Sequence, residues 1–114
     1  MRLINQTKGT LLAEDVIFAN TPFKRIKGLL GKKNLLEGQA LIIKPCNCIH
    51  TLFMCFSIDV LFVDKNNKIV KVLAQLVPFR LSKLYWNSKI VVELPCGKVN
   101  FTQTQDGDSL QLLD

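Results

Sequence analysis

The chain has 114 residues, of which 48% are hydrophobic and 21% charged, and its net charge is +6 at neutral pH. This length is enough to enclose one hydrophobic core, so we expect a single domain over residues 1–114. The composition excludes a disordered chain, and every apolar run is far shorter than the roughly 20 residues that a membrane-spanning helix needs. We therefore expect a soluble domain that does not bind a membrane.

The N-terminal residues Met1 to Lys8 become polar before an apolar stretch of signal-peptide length can form. We therefore expect a cytoplasmic protein. The four cysteines of such a chain are interpreted as reduced thiols, because cytosolic redox buffers disfavour disulfides.

One helix is predicted near residues 22–30. Thr21 suits the N-cap, Pro22 suits the first helical position, and Gly31 suits the left-handed residue just after the last turn. The predicted helix presents basic side chains to solvent, namely Lys24, Arg25 and Lys27. It belongs to the basic part of the chain, since residues 1–57 carry a net charge of +5 and residues 58–114 only +1.

Most of the remaining chain is predicted to be strand. The run Ile58 to Val63 is apolar on both faces, which indicates a buried central strand, and the polar stretch after it predicts an antiparallel hairpin with the next strand. About seven or eight mostly antiparallel strands with one helix predict a compact β-sandwich or a partly closed β-barrel. The predicted strands are Thr10 to Phe18, Gln39 to Ile43, Ile49 to Phe56, Ile58 to Val63, Ile69 to Leu76, Ile90 to Leu94, Lys98 to Thr104 and Ser109 to Leu112.

Five segments, in the same order along the chain, resemble the signature of the domain of unknown function 192 family. They are Arg25 with Gly28-Leu29-Leu30, the stretch Ile49 to Asp64, Pro78-Phe79-Arg80, Glu93-Leu94-Pro95-Cys96-Gly97, and Gly107-Asp108. The resemblance implies a β-rich fold with one helix packed on it. It implies no activity, because the family is uncharacterised.

A cluster of metal-ligating residue types occurs at Cys46, Cys48 and His50. In an extended segment these three side chains point to one face, and zinc accepts both thiolate and imidazole ligands. Structural zinc sites usually combine two pairs of ligands, and the chain has no second pair. We therefore expect no cofactor, with zinc at these three residues as the alternative.

The candidate binding site lies in the longest of the five segments. Asp59 is a carboxylate inside an apolar strand, so it needs a polar partner, and Arg25 and Arg80 are the candidates. If His50 converges with them, the group could bind an anion or act as an acid and base; the alternative is a structural Asp–Arg pair. The full candidate set is His50, Thr51, Met54, Asp59, Arg80 and Arg25.

The sequence contains no phosphate-binding loop, no nucleophile elbow and no His-Glu-x-x-His motif. Our first hypothesis is therefore a non-enzymatic binding module for a small polar or anionic ligand or for a protein partner. An enzyme with a His50/Asp59 acid–base pair and a metal or thiol site are the alternatives. Nucleic acid binding has weak support from the basic helix, because exposed aromatic residues interleaved with basic ones are scarce.

Overall fold

The computed structural model describes residues 1–19, 35–44, 56–77 and 82–114. These residues form eight strands and one short helix, so the prediction of a mainly β fold is confirmed. In chain order the elements are β1 (Arg2–Asn5), β2 (Thr10–Ala13), β3 (Asp15–Ala19), β4 (Gln39–Ile43), β5 (Ile58–Val63), β6 (Ile69–Leu76), β7 (Ile90–Pro95), α1 (Lys98–Thr102) and β8 (Leu110–Leu113).

The strands form two sheets, neither of which closes into a barrel within the described residues. The smaller sheet has the order β2-β1-β8, and both of its pairings are antiparallel. The larger sheet has the order β3-β4-β7-β5-β6, in which only the β3–β4 pair is parallel. The architecture is thus the sandwich-like one of the two predicted alternatives.

The core consists of two clusters on the two faces of the larger sheet. The first cluster joins Leu3 and Leu12 of the smaller sheet to Leu61 and Val92 of the larger one, so it fills the space between the sheets. The second lies on the opposite face and includes Phe62. The centres of the Phe62 and Tyr85 rings lie 4.4 Å apart. Each such side chain contributes about 1.5–3 kcal/mol when fully buried.

Strand β5 contributes to both clusters, and all six of its residues are buried. The two-sided apolar pattern therefore predicted its position correctly. The hairpin to β6 is also confirmed: Asp64 Oδ1 accepts hydrogen bonds from the backbone N–H groups of Asn66 and Lys68, and Asn67 is left-handed.

Two predictions of elements require correction, and one strand was missed. The predicted strand Thr10 to Phe18 is two strands, because the N–H groups of Glu14 and Asp15 both donate to the carbonyl of Gly38 and turn the chain there. The predicted strand Lys98 to Thr104 is wrong, since this segment begins with α1. Strand β1 was not predicted, because it is short and carries polar residues at both ends.

The predicted helix at residues 22–30 lies outside the described residues, as does the predicted strand at 49–56 except for its last residue.

Candidate functional site

Of the residues predicted to form the binding site, the structure describes Asp59. The others lie outside the described residues, as does the alternative metal cluster, so both remain predictions: His50, Thr51, Met54, Arg80, Arg25, Cys46 and Cys48. In the part of the chain that is described, no three metal-ligating side chains lie together.

Asp59 is fully buried on β5, and its carboxylate binds backbone amides. Its Oδ1 accepts the N–H of Gln75 at 2.8 Å, while Oδ2 accepts those of Gly97 at 3.1 Å and Val99 at 2.8 Å. These bonds satisfy the requirement for a polar partner that the sequence indicated. Among the described residues the partners are main-chain groups and not an arginine side chain.

The three amides belong to two irregular points of the backbone. Gln75 is left-handed, at φ 56°, where the β5–β6 register shifts by a bulge. Gly97 is also left-handed, at φ 97°, and has no side chain with which to cap α1. Asp59 therefore caps α1 from a neighbouring strand, since the first amides of a helix lack intrahelical acceptors. It fixes both α1 and the end of β6 against β5.

The other end of α1 is held by a buried polar network. The Oγ1 atoms of Thr102 and Thr104 lie 2.7 Å apart, and Asn5 Nδ2 donates to Thr104 Oγ1 at 3.0 Å and to Asp108 Oδ2 at 2.9 Å. Gly107, in the turn before β8, is left-handed at φ 90°. The network joins β1, α1 and the loop before β8. Sequence reasoning missed it because its members lie about a hundred residues apart along the chain.

A groove of about 420 Å³ lies between β2 and α1. Its size falls within the range of small-molecule binding clefts. One wall is formed by consecutive residues of β2 and Glu14, and the other by α1 together with the turn before β4. The lining residues are Thr10, Leu11, Leu12, Ala13, Glu14, Glu37, Gly38, Lys98, Phe101 and Thr102.

The groove presents apolar side chains at its mouth and charged side chains at its rim. Phe101 is 84% exposed and Leu11 is 40% exposed. The Lys98 ammonium group pairs with Glu37 and lies 5.7 Å from the centre of the Phe101 ring, within the range of a cation–π contact. This arrangement places the Lys98 ammonium group over one face of the Phe101 ring, and the Phe101 side chain stays largely exposed.

Two buried polar atoms lack hydrogen-bond partners in the part of the chain that is described. One is Oγ1 of Thr10, a residue that lines the groove. The other is Oε2 of Glu93, which lies on β7 between Leu41 of β4 and Val60 of β5 and is 2% exposed. Burial raises the pKa of the Glu93 carboxyl to about 8, so this group is mostly neutral at pH 7.

Cys96 is an exposed free thiol beside the start of α1. Partial burial and the negative charge of Asp59 both raise the pKa of this thiol. The thiolate is the reactive form of cysteine, so this environment does not activate Cys96 as a nucleophile.

In the described ranges, no helix has the length and apolar character needed to cross a membrane.

Two facing sheets, a five-residue helix capped by a buried aspartate and a lateral groove define a small two-sheet β domain. The chain belongs to the DUF192 family, an uncharacterized group of proteins whose family model matches residues 3–112. The resemblance found in the sequence is thereby confirmed.

Two relatives of known sequence are named only as UPF0127 proteins. A UPF0127 protein of Thermococcus sibiricus is 32% identical over 112 residues, which cover 95% of this chain and 72% of the relative. A UPF0127 protein of Pyrococcus furiosus is 32% identical over 112 residues, which cover 96% of each chain.

Two solved structures share the fold. A protein of unknown function from Novosphingobium aromaticivorans superposes with a TM-score of 0.84 at 18% identity, covering 98% of this chain and 84% of its own. A protein from Sinorhizobium meliloti, described as a proposed transcription regulator, superposes with a TM-score of 0.78 at 21% identity, covering 96% and 89%. At these identities the likeness shows the fold and no activity.

Proposed function

We propose that the chain is a non-enzymatic binding module and that the groove between β2 and α1 binds a protein partner. The observation that carries the proposal is the exposed Phe101 ring, at 84% exposure, beside a groove of about 420 Å³. Exposed aromatic residues next to a concave surface are typical of binding surfaces, because burying such a ring contributes much of the free energy of association.

Asp59 supports a scaffold role and not a catalytic one. Both of its carboxylate oxygens are engaged by backbone amides, and the side chain has no access to solvent. A general base must reach the proton that it abstracts, and a carboxylate that is buried and already accepts three backbone N–H groups is poorly placed for that role. Asp59 instead positions α1, which carries Lys98 and Phe101 into the groove wall.

A small polar or anionic ligand is the second candidate, at a site formed by the predicted residues His50, Thr51, Met54, Arg80 and Arg25. It is favoured by Glu93, because a buried carboxyl oxygen that has no partner among the described residues is unusual in a structural position and common near functional sites. The groove lining includes Glu14 and Glu37, whose negative charges oppose the binding of phosphate groups, so nucleic acid is not the partner that we propose there.

We place this function in the cytoplasm, with support from the free exposed thiol of Cys96, which suits a reducing compartment. No cofactor is part of the proposal. Zinc held by Cys46, Cys48 and His50 remains the alternative, and metal analysis of protein purified without a chelator tests it.

Site-specific photo-crosslinking tests the groove. p-Benzoylphenylalanine replaces Phe101 in one variant and, as a matched control, Trp86 in another, because Trp86 is 75% exposed and does not line the groove. Irradiation of cells that express each variant should give a discrete protein adduct from position 101 and not from position 86. Mass spectrometry of the adduct identifies the partner and the linked peptide.

The same adduct from both positions, or none from position 101, would remove the groove as a binding surface. An adduct that survives the additional change Leu11→Asp, which places a charge in the mouth of the groove, would also contradict the proposal. Leu11 is already 40% exposed, so this change should leave the fold intact.

A further inference from the structure

We infer that the partner segment bound in the groove is an extended, basic stretch of polypeptide that adds to the edge of β2 as a further strand. This inference rests on the proposed function, because it names the occupant of the same groove. It follows from three features of the described residues: an open strand edge, apolar side chains beside it, and a local excess of carboxylates.

Strand β2 forms one edge of the smaller sheet. It pairs with β1 on one side, and no strand of the described ranges pairs with its other side. Residues 10–14, a continuous stretch, line the groove. At about 3.3 Å per residue this stretch is roughly 16 Å long, the length of a short strand. An open edge of this kind offers main-chain donors and acceptors to an incoming peptide.

Two irregularities limit the pairing to a short segment. The β1–β2 register shifts near Leu12, and the N–H of Glu14 already donates to the carbonyl of Gly38. The edge available for strand addition is therefore about four residues, Thr10 to Ala13. A bulge and a short edge also protect the free protein from uncontrolled edge-to-edge association.

Apolar side chains lie where alternate residues of an added strand would point. Leu11 projects from β2 at the mouth of the groove, and Phe101 projects from the opposite wall. Side chains of an extended peptide alternate between two faces, so every second residue would contact this pair. The partner segment should therefore carry apolar residues at alternate positions.

The rim of the groove is acidic, although the chain as a whole is basic. Glu14, Asp15 and Glu37 are the only acidic residues among the first 57, and all three lie at the groove or directly beside it. Glu37 pairs with Lys98, whereas Glu14 and Asp15 have no ion pair with any described residue. Two carboxylates thus remain to attract basic side chains of a partner.

The same charges disfavour a second copy of this chain as the occupant. Pairing β2 with β2 of another copy would bring two sets of Glu14, Asp15 and Glu37 together, and like charges across an interface are unfavourable. A partner segment rich in lysine or arginine removes this repulsion and neutralises the rim.

The test uses capped hexapeptides as probes, with the intact chain. One alternates lysine with valine, and its counterpart alternates glutamate with valine. Binding is followed by chemical-shift changes of backbone amides in two-dimensional NMR. The lysine peptide should shift the amides of residues 10–14, 37–38 and 98–102, and the glutamate peptide should bind at least tenfold more weakly. Sedimentation of the free protein gives the oligomeric state.

Two N-methylated versions of the lysine peptide test for main-chain pairing. One carries the methyl groups on odd amides and the other on even amides, so each removes the donors of one strand edge. Strand addition requires that one version bind as the parent does and that the other lose binding. Equal affinities of the two versions would overturn the inference.

Protein variants test the charge argument. Glu14→Gln and Asp15→Asn should each weaken the lysine peptide about two- to fivefold, as expected for exposed ion pairs. Asp64→Asn, at the hairpin turn and away from the groove, serves as the matched control and should change the affinity less than twofold.

Equal binding of the lysine and glutamate peptides, or a dimer formed through β2, would overturn the inference. If position 101 still crosslinks a partner specifically while neither peptide binds, the inference fails and the proposed function stands. If crosslinking also fails, both are refuted.

Discussion

Replacement of Asp59 by alanine should strongly destabilise the domain. The change leaves three backbone N–H groups, those of Gln75, Gly97 and Val99, without their acceptor. An unsatisfied buried N–H costs about 1–3 kcal/mol, and water can reach the part-buried amides of Gln75 and Gly97 more easily than that of Val99. We therefore expect Asp59→Ala to lower the free energy of unfolding by about 3–5 kcal/mol.

Asp59→Asn is the more informative change, because it preserves the size of the side chain. One amide oxygen can still accept the two bonds from Gly97 and Val99. The amide NH2 group then faces the N–H of Gln75, donor against donor. We expect a loss of about 1.5–3 kcal/mol, with faster hydrogen exchange at Gln75 than at Val99.

Urea unfolding, monitored by circular dichroism, measures both variants. Asp64→Ala is the control, because Asp64 also accepts two backbone N–H groups but does so in an exposed turn. It should cost less than about 1 kcal/mol. If Asp59→Ala costs no more than Asp64→Ala, the buried carboxylate does not hold α1, and the account of the groove wall is wrong.

The Glu93 carboxyl has a pKa of about 8 in the folded state and of 4.5 in the unfolded state, so at pH 7 it is mostly protonated only in the folded protein. The stability that it contributes is therefore complete below pH 4.5 and is lost as the pH rises to about 8. Thermal melts should show this decline in the wild type and a smaller one in Glu93→Gln, which should be the more stable protein at pH 8.5. Gly97→Ala should lower the free energy of unfolding by about 1–2 kcal/mol in urea unfolding, because a side chain is strained at φ 97°. The added methyl group itself meets no other atom, so no clash adds to this cost. Thr104→Val removes the acceptor for Asn5 and the partner of Thr102, and should cost about 1–3 kcal/mol in the same assay, whereas Thr7→Val, in an exposed bond, should cost less. Metal analysis of protein purified without a chelator should find far less than one zinc ion per chain.

The sequence predicted strands β4 to β7 of the larger sheet well because these strands follow from local patterns. The continuous apolar run Ile58 to Val63 indicated a strand buried on both faces, and all six residues are buried. The polar stretch after this run indicated a hairpin turn, and Asn67 is left-handed there. Such features depend on neighbours within a few residues, which is the range over which a sequence pattern is informative.

The segment after Gly97 was predicted wrongly because its conformation is set from a distance. Lys98 to Thr104 carries Val, Phe and Thr at strand-like positions, yet its first five residues are helical. The cause is the carboxylate of Asp59, which accepts the amides at the start of α1 from 38 to 40 residues away. A helix whose cap is contributed by another strand has no N-cap signature of its own in the sequence.

The need of Asp59 for a polar partner was predictable from its position in an apolar strand, but the identity of that partner was not. Backbone amides leave no trace in the side-chain sequence, so the arginines were the natural candidates. The groove was unpredictable for a related reason. Its walls come from residues 10–14, 37–38 and 98–102, which only the tertiary fold brings together.

The segments by which the chain resembles its family and the residues that line the groove are largely different. Asp59, Gly97 and Asp108 belong to those segments. In this structure Asp59 caps α1, Gly97 turns the chain into α1, and Asp108 belongs to the polar network at the other end of α1. The groove side chains, among them Leu11, Glu14, Glu37 and Phe101, lie outside the segments. In this chain the family segments therefore build the scaffold that holds a short helix beside a strand edge, and they do not supply the side chains that line the groove at that edge. Glu93 is the exception, since it belongs to a family segment and yet has no hydrogen-bond partner for Oε2 among the described residues.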